Sequence, residues 1–274
     1  MGMLSITFDD ALPEHIDLAV PLLEARGMRG TFFIPAAAPG FLDRWDQWRA
    51  VAARGHELGN HTLFHPAWFP KPYVTDGNDI TRYTLDRIRL ELAAANRILS
   101  ALDGRSERTF AYPCSNPTLG RAGIVKRLLT VCGLDRTRIM GWVNRWPRLD
   151  VGSSQRDYSV LLPDLFLAAR CGKEPAEAAH LWPPDRYKVP CLSGDGMDAP
   201  QLIEATERAL AQRPWTVWTF HGIGGSGRLA CAEDALRRWL DFLAGLRSHE
   251  VLPFGEAARR IWGDSREAPG GGLT

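Results

Sequence analysis

Five side chains of this 274-residue sequence have the types and spacing to hold a cation and move protons beside it: the adjacent carboxylates Asp9 and Asp10, the imidazoles His61 and His65 four positions apart, and His221. Successive side chains of an extended segment point to opposite sides, so two carboxylates at a strand end are expected to divide tasks. Two imidazoles four apart fall on one side of a helical turn, within reach of a single tetrahedral or octahedral cation. One Asp added to them makes a two-His, one-carboxylate set. Such a set leaves coordination positions open for water, whereas a closed structural zinc site takes four protein ligands, usually including Cys. Each piece also has an ordinary reading. The Asp pair can cap the helix that starts near Pro13, His61 and His65 can be solvated loop residues, and His221 can be a hydrogen-bonded core histidine. The chemical reading gains from where the three clusters fall along the chain.

Leu4 to Phe8 alternates, is β-rich and stops at Asp9-Asp10, which predicts a strand that delivers polar groups at its C-terminal end. A helix follows, with Ile16, Ala19, Val20, Leu22 and Leu23 as its apolar stripe and Gly27 as its stop. Gly30 to Ile34 reads as a second strand, Asp43 to Ala53 as a helix, and His56 to His61 as a third strand. Asp79 to Leu102 has the clearest helical repeat, with Leu85, Ile88, Leu92, Ala95 and Leu99 at three- and four-residue spacing. Then come a strand at Thr109 to Tyr112, a helix at Ile124 to Val131 and a fifth strand at Arg138 to Trp142. From about 143 to 200 the chain is rich in Pro, Gly, Asp and Arg and predicts long loops, with one helical patch from Pro163 to Cys171. The helix Pro200 to Gln212, the strand Trp215 to Phe220, the helix Ala232 to Leu246, a strand at Val251-Leu252 and the helix Gly255 to Trp262 complete the pattern. Repeated strand–helix units of this length imply an α/β fold with a parallel sheet, and seven or eight of them close into a barrel. In such a barrel the reactive groups sit at the C-terminal ends of the strands, where all three polar clusters fall.

The bulk numbers fit one such domain. Hydrophobic residues make up 45% and charged residues 24%, enough for one large core, and 33 Lys+Arg against 32 Asp+Glu give a net charge of +1. That balance supplies no bulk field to hold nucleic acid or an anionic membrane and suits a small or neutral substrate. No apolar run approaches the ~20 residues of a membrane span. Met1 to Leu4 runs straight into the first strand with no signal-peptide pattern, so a cytoplasmic location is expected. The cysteines Cys114, Cys132, Cys171, Cys191 and Cys231 are odd in number and widely spaced, which argues against a disulfide framework.

Thr7-Phe-Asp-Asp10, His61-Thr-Leu-Phe-His65-Pro66, Phe110-Ala-Tyr-Pro113 and Thr219-Phe-His221 resemble, in order, the motifs of the polysaccharide deacetylases, carbohydrate esterase family 4. The resemblance implies a distorted (β/α)7 barrel as a single domain, here residues 1–267, followed by a Gly-rich tail at 268–274. It implies a divalent metal, most commonly Zn2+ with Co2+ or Ni2+ in some members, and hydrolysis of an N- or O-linked acetyl group. By that resemblance Asp9 is the base, Asp10, His61 and His65 the metal ligands, and His221 the acid. A backbone N–H of the third motif, near Cys114 beside Tyr112, serves the oxyanion.

The sequence departs from the family pattern in places. Ala111 stands where the third motif often has Arg, which leaves Arg148 or Arg108 as candidates to orient Asp9, and Ala11 replaces the Gly that often follows the acidic pair. For the fourth motif, an Asp near a Trp, the nearest candidates are Asp150 and Trp146. Trp68, Trp142, Trp146, Trp182 and Tyr187 lie on or near loops and are candidates to stack on sugar rings, although loop aromatics more often close a core. The expected partner is an acetylated sugar or another small amide or ester. Two rival readings share the chemistry or the fold: a C–N hydrolase of a cyclic imide or ureide, and a catalytically silent carbohydrate-binding protein.

Overall fold

Along β1 (Gly2–Asp9) every residue from Leu4 onward is buried, which a strand achieves only when both of its faces are covered. Leu4, Ile6 and Phe8 pack outward on the helical layer, in one cluster with Leu23, Trp48, Leu99, Leu202 and Trp239. Inward-facing Ser5 accepts the Trp215 indole N–H at 3.0 Å, and Thr7 donates to the Trp218 carbonyl at 2.7 Å. The computed structural model describes residues 2–68, 71–134, 137–172, 182–225 and 229–263; the tail at 268–274 lies outside them.

After β1 the chain runs through α1 (Val20–Glu24), β2 (Thr31–Ile34), α2 (Trp45–Ala53), β3 (Glu57–Asn60), α3 (Leu85–Asp103) and β4 (Phe110–Ala111). The helices α4 (Ile124–Val131) and α5 (Arg138–Arg145) precede β5 (Ala169–Arg170), β6 (Leu192–Ser193), α6 (Ala199–Leu210), β7 (Trp215–Phe220), α7 (Glu233–Gly245), β8 (His249–Val251) and α8 (Phe254–Trp262). Strands β5, β4, β3, β2, β1, β7 and β6 lie side by side in that order, all parallel, with β8 adding to the start of β1. A parallel bridge between Arg170 and Val189, three residues before β6, joins the two ends of the sheet. Seven strands in sequence order therefore form the expected distorted (β/α)7 barrel. Its N-terminal end is plugged by the buried Glu57 carboxylate, which accepts from the Thr31 hydroxyl at 2.8 Å, the Thr109 hydroxyl at 2.5 Å and the Gly255 N–H at 2.8 Å.

Four expectations are corrected. Arg138 to Trp142 is the start of helix α5, not a strand: Met140 and Val143, three apart, are its buried face. Pro163 to Cys171 is not helical but holds the end of a 3-10 turn (Tyr158–Asp164) and then β5, because a short apolar run such as Leu165–Ala169 carries no period that separates helix from strand. The stretch 143–200 is accordingly not only loop, since it supplies β5 and β6, two-residue ladders too short to announce themselves. The long helix begins at Leu85, not Asp79. Thr84 caps it by accepting from the Arg87 N–H, Asp79 caps a separate 3-10 turn (Ile80–Arg82), and Gly104 at φ 73° ends it.

Candidate active site

At the C-terminal ends of the strands a cleft of about 980 Å³ is lined by Asp9, Asp10, His65, Tyr112, Arg170 and His221 among others. Asp9 closes β1, and strict alternation would turn Asp10 away from it. Asp10 instead takes φ 81°, and this left-handed turn brings both carboxylates to the same cleft. The next residue, Ala11, also has positive φ, 52°, so a methyl side chain is held where glycine is less strained.

His61 and His65 do converge, but not on a helical turn. His61 follows β3 directly, and the loop behind it is folded by left-handed Thr62 (φ 71°) and His65 (φ 49°). Buried Asn60 anchors that loop: its side-chain carbonyl accepts from the Thr62 N–H at 2.7 Å, and the Thr62 hydroxyl accepts from the His65 N–H at 2.9 Å. The His65 Nε2 lies 3.3 Å and the His61 Nε2 3.7 Å from Asp10 Oδ1. One ligand atom from each of these three residues lies within 4.8 Å of the others.

The donor chemistry fits a divalent ion. His61 Nδ1 donates to the Ala111 carbonyl at 2.8 Å, which fixes the tautomer and leaves the Nε2 lone pair toward Asp10. Burial, and after it the neighbouring His61 ring, hold His65 down to about 4, so His65 is a neutral imidazole with a free lone pair. Two imidazole nitrogens and one carboxylate oxygen are the set a zinc-like ion takes when coordination positions stay open.

Asp9 and His221 are poised in opposite senses. Burial alone would raise the Asp9 carboxyl, but the buried guanidinium of Arg170, hydrogen-bonded to Oδ2, outweighs it and brings the group to about 2. Asp9 Oδ1 is buried and has no hydrogen-bond partner. His221 follows β7, with its Nε2 3.9 Å from Asp9 Oδ2. Burial would lower it, but the Asp195 carboxylate accepts from its Nδ1 at 2.7 Å and from its backbone N–H at 3.0 Å, and with the charge of Asp9 this pushes it up to about 9. His15, buried against Phe8 and Phe32, places its Nε2 2.8 Å from the His221 carbonyl and fixes the strand end from behind.

The groups expected to support these residues are not the ones found. Arg170 from β5, not Arg148 or Arg108, meets Asp9; Arg108 is spent on a buried pair with Asp103, and Arg148 is exposed on a 3-10 turn (Pro147–Leu149). Asp195, not Asp150, meets a catalytic candidate. Asp150 instead accepts from the N–H groups of Gly123 and Lys126 and caps α4. The signal for Arg170 is a charge closing an apolar run, the same pattern as Thr7-Phe-Asp9; Asp195 lies in Ser-Gly-Asp-Gly, which reads only as a turn. Among the aromatics, Trp68, Trp142, Trp146 and Trp182 are exposed, and neither they nor Tyr187 line the cleft, whose rings are Phe64, Tyr73, Tyr112 and Trp218. The Tyr112 hydroxyl is taken up by the Tyr187 carbonyl at 3.0 Å. Cys114 does line the cleft, with φ 51°, and its sulfur meets Lys71 Nζ at 2.8 Å and the Tyr73 hydroxyl at 3.1 Å.

Comparison with known proteins agrees with this architecture. Residues 2–127 match the family model described as polysaccharide deacetylase. A 114-residue stretch, 41% of the chain, is 28% identical to a gellan lyase of Bacillus sp, and this covers only 4% of that protein's length. Among solved structures, a family 4 acetyl xylan esterase from Clostridium thermocellum, in complex with a cobalt ion, aligns with a TM-score of 0.54 at 15% identity over 95% of this chain and 92% of its own. The CE4 domain of a multidomain xylanase from the hindgut metagenome of Trinervitermes trinervoides gives 0.54 at 13% identity, over 96% and 91%. A CE4 family pseudoenzyme from Bacillus anthracis gives 0.52 at 13%, over 94% of this chain and 65% of its own. Residues 2–127 thus match the polysaccharide deacetylase model, and the fold is similar to the barrel of these carbohydrate esterase family 4 structures.

Proposed function

We propose that the protein is a metal-dependent hydrolase that removes an acetyl group from a carbohydrate. The observation that carries this reading is the pairing of an ionised Asp9 with a protonated His221 across one cleft from the Asp10, His61 and His65 cluster. A divalent ion held by those three would lower the pKa of bound water toward ~7 and polarise the acyl oxygen. Asp9, through its unpartnered Oδ1, takes the proton of the attacking water. Arg170 keeps Asp9 ionised and fixes its orientation, at the cost of basicity. His221, held by Asp195, delivers a proton to the departing amine or alcohol, which then leaves as a neutral group. The left-handed turn at Cys114 presents backbone at the cleft wall, which supports the Cys114 N–H as a donor for the developing oxyanion.

Because a pseudoenzyme shares the fold, the barrel alone does not decide activity; the complete set of five side chains supports it. The test is acetate release from N-acetyl oligosaccharides and O-acetyl xylosides by the metal-loaded protein. Release from either, lost in Asp9→Asn, supports the reading. Turnover of a cyclic imide without acetate release would replace it with a C–N hydrolase.

A further inference from the structure

Between β4 and β5 the barrel gives way to a helical hairpin, α4 and α5, closed at its base by an antiparallel ladder of Thr118–Leu119 with Arg156–Asp157. Each helix has an inward side: Val125 and Leu129 on α4 are half-buried, and Met140 and Val143 on α5 are buried. Each also carries a second apolar stripe at helical spacing that no described residue covers. On α4 it is Ile124, Leu128 and Val131, the last 85% exposed; on α5 it is Ile139 and Trp142, continued by the C-cap Trp146, both tryptophans more than half exposed. A soluble domain seldom leaves two such stripes in water on one element.

The charge of the hairpin points to the occupant. Residues 121–156 hold eight Lys or Arg against two Asp, an excess of six positive charges in a chain whose net charge is +1, so the rest of the chain is net negative. Of the two acids, Asp150 is buried as the cap of α4 and offers nothing to the surface. Exposed Arg127, Arg138, Arg145 and Arg148 flank the apolar stripes. Tryptophan and aliphatic side chains bordered by arginine are the composition of helices that lie in the headgroup layer of an anionic bilayer. A second copy of the chain fits poorly, because a self-complementary contact would set six excess positive charges against six. The near-neutral total conceals this asymmetry, and no described helix is long and apolar enough to cross a membrane, so insertion stops at the interface.

We infer that the α4–α5 hairpin is a docking surface for an anionic lipid bilayer. Cys114 and Ser115, which line the cleft, precede the ladder at the base of the hairpin by only a few residues of chain. The inference is independent of the reaction proposed above.

Co-sedimentation of the full chain with phosphatidylglycerol–phosphatidylcholine vesicles, against phosphatidylcholine alone, tests it. Binding to the anionic vesicles alone is expected, weakening as ionic strength rises to about 0.5 M. The triple change Arg138→Glu, Arg145→Glu, Arg148→Glu is expected to lower partitioning by about a hundredfold or more, since each basic residue near the surface contributes roughly fivefold. The double change Trp142→Ser, Trp146→Ser is expected to lower it at every salt concentration. All five positions are exposed, so circular dichroism melts are expected to match wild type, and Leu90→Ser, at an exposed site on α3, serves as the unaffected control. Equal binding to both vesicle types, no binding, or binding unchanged by both variants overturns the inference. A concentration-dependent dimer that the tryptophan variant dissolves, or duplex DNA binding that displaces the vesicles, overturns it in favour of a second copy or of nucleic acid.

Discussion

Replacing Asp195 by Asn separates the proton donor from the metal-ligand candidates, because Asp195 hydrogen-bonds His221 and the neighbouring Ser193 and none of Asp9, Asp10, His61 or His65. The rise of His221 from 6.5 to about 9 corresponds to ~3.4 kcal/mol of preference for the imidazolium at 1.36 kcal/mol per unit. The bond from Nδ1 to the Asp195 carboxylate is the largest contribution opposing burial, ahead of the charge of Asp9. Asn keeps an acceptor for Nδ1 and removes the charge, so His221 is expected to fall toward ~7. At pH 8.5 the wild-type ring is then about three-quarters protonated and the variant about 3%, a loss of roughly 25-fold, whereas at pH 6 the two differ by only about 10%. The assay is kcat/KM for acetate release from pH 5.5 to 9.5, and the variant is expected to show its basic limb about two units lower. Folding stability gives an independent reading. A histidine raised in the folded state stabilises it fully below pH 6.5 and loses that contribution as pH rises through about 9, so the two melting temperatures should converge above pH 9. A loss of rate equal at pH 6 and 8.5, with the basic limb unmoved, would refute His221 as the acid.

The division between Asp9 and Asp10 predicts that Asp10→Asn and His65→Ala lower the metal content of the purified protein, while Asp9→Asn keeps the metal and loses ~10²–10⁴ in kcat; metal analysis beside steady-state kinetics checks both, and the opposite pattern exchanges the roles. Arg170→Met leaves the Asp9 carboxylate buried without its partner, an expected cost of ~3–5 kcal/mol in denaturant unfolding; Arg170→Lys is expected to recover part of the activity and keep the acidic limb of the pH profile low, and a limb unmoved in Arg170→Met would count against the pairing. His56 is buried, its Nδ1 accepts the Gly30 N–H at 3.1 Å, and burial, despite the opposing pull of Glu24, holds it at about 4. Its folded pKa lies below the unfolded 6.5, so stability is complete above pH 6.5 and lost as pH falls toward 4, by up to ~3.4 kcal/mol; His56→Gln should flatten that window in a pH series of urea melts.

The parts of the fold legible in the sequence are those with enough residues to show a period. Helix α3 displays five turns of stripe, and β1 and β7 each hold six or more residues. Strands β5 and β6 are two residues each, and their register comes from neighbours distant in sequence, such as Phe110 beside Ala169 and Trp218 beside Leu192. No window of local sequence contains that information. Helix α5 misled for a related reason: Ile139, Met140 and Trp142 fall within five residues, a window too short for its apolar side chains to show whether they repeat as a helix or as a strand.

The candidate site shows the same division, with a further cause. Asp9, Asp10, His61, His65 and His221 were legible because their types are chemically restricted and each stands beside a readable strand. Arg170 and Asp195, which set the charge states of Asp9 and His221, were not, because each acts through a side chain contributed by a different strand. Among the described residues, the six non-glycine positions with positive φ, Asp10, Ala11, Thr62, His65, Cys114 and Ser115, all lie in the loops at this one end of the barrel. Local preference opposes each of these conformations, by about 1 kcal/mol or more. The conformations persist because the surrounding fold over-determines them: Asp10 donates its N–H to Phe33 at 3.2 Å, Thr62 is held by buried Asn60, and Ser115 donates to Tyr112 at 2.9 Å. A reading that follows local preference therefore makes Asp9 and Asp10 point apart and His61 and His65 sit on a helix, and the folded barrel overrules it at the places where the cleft needs both groups on the same side.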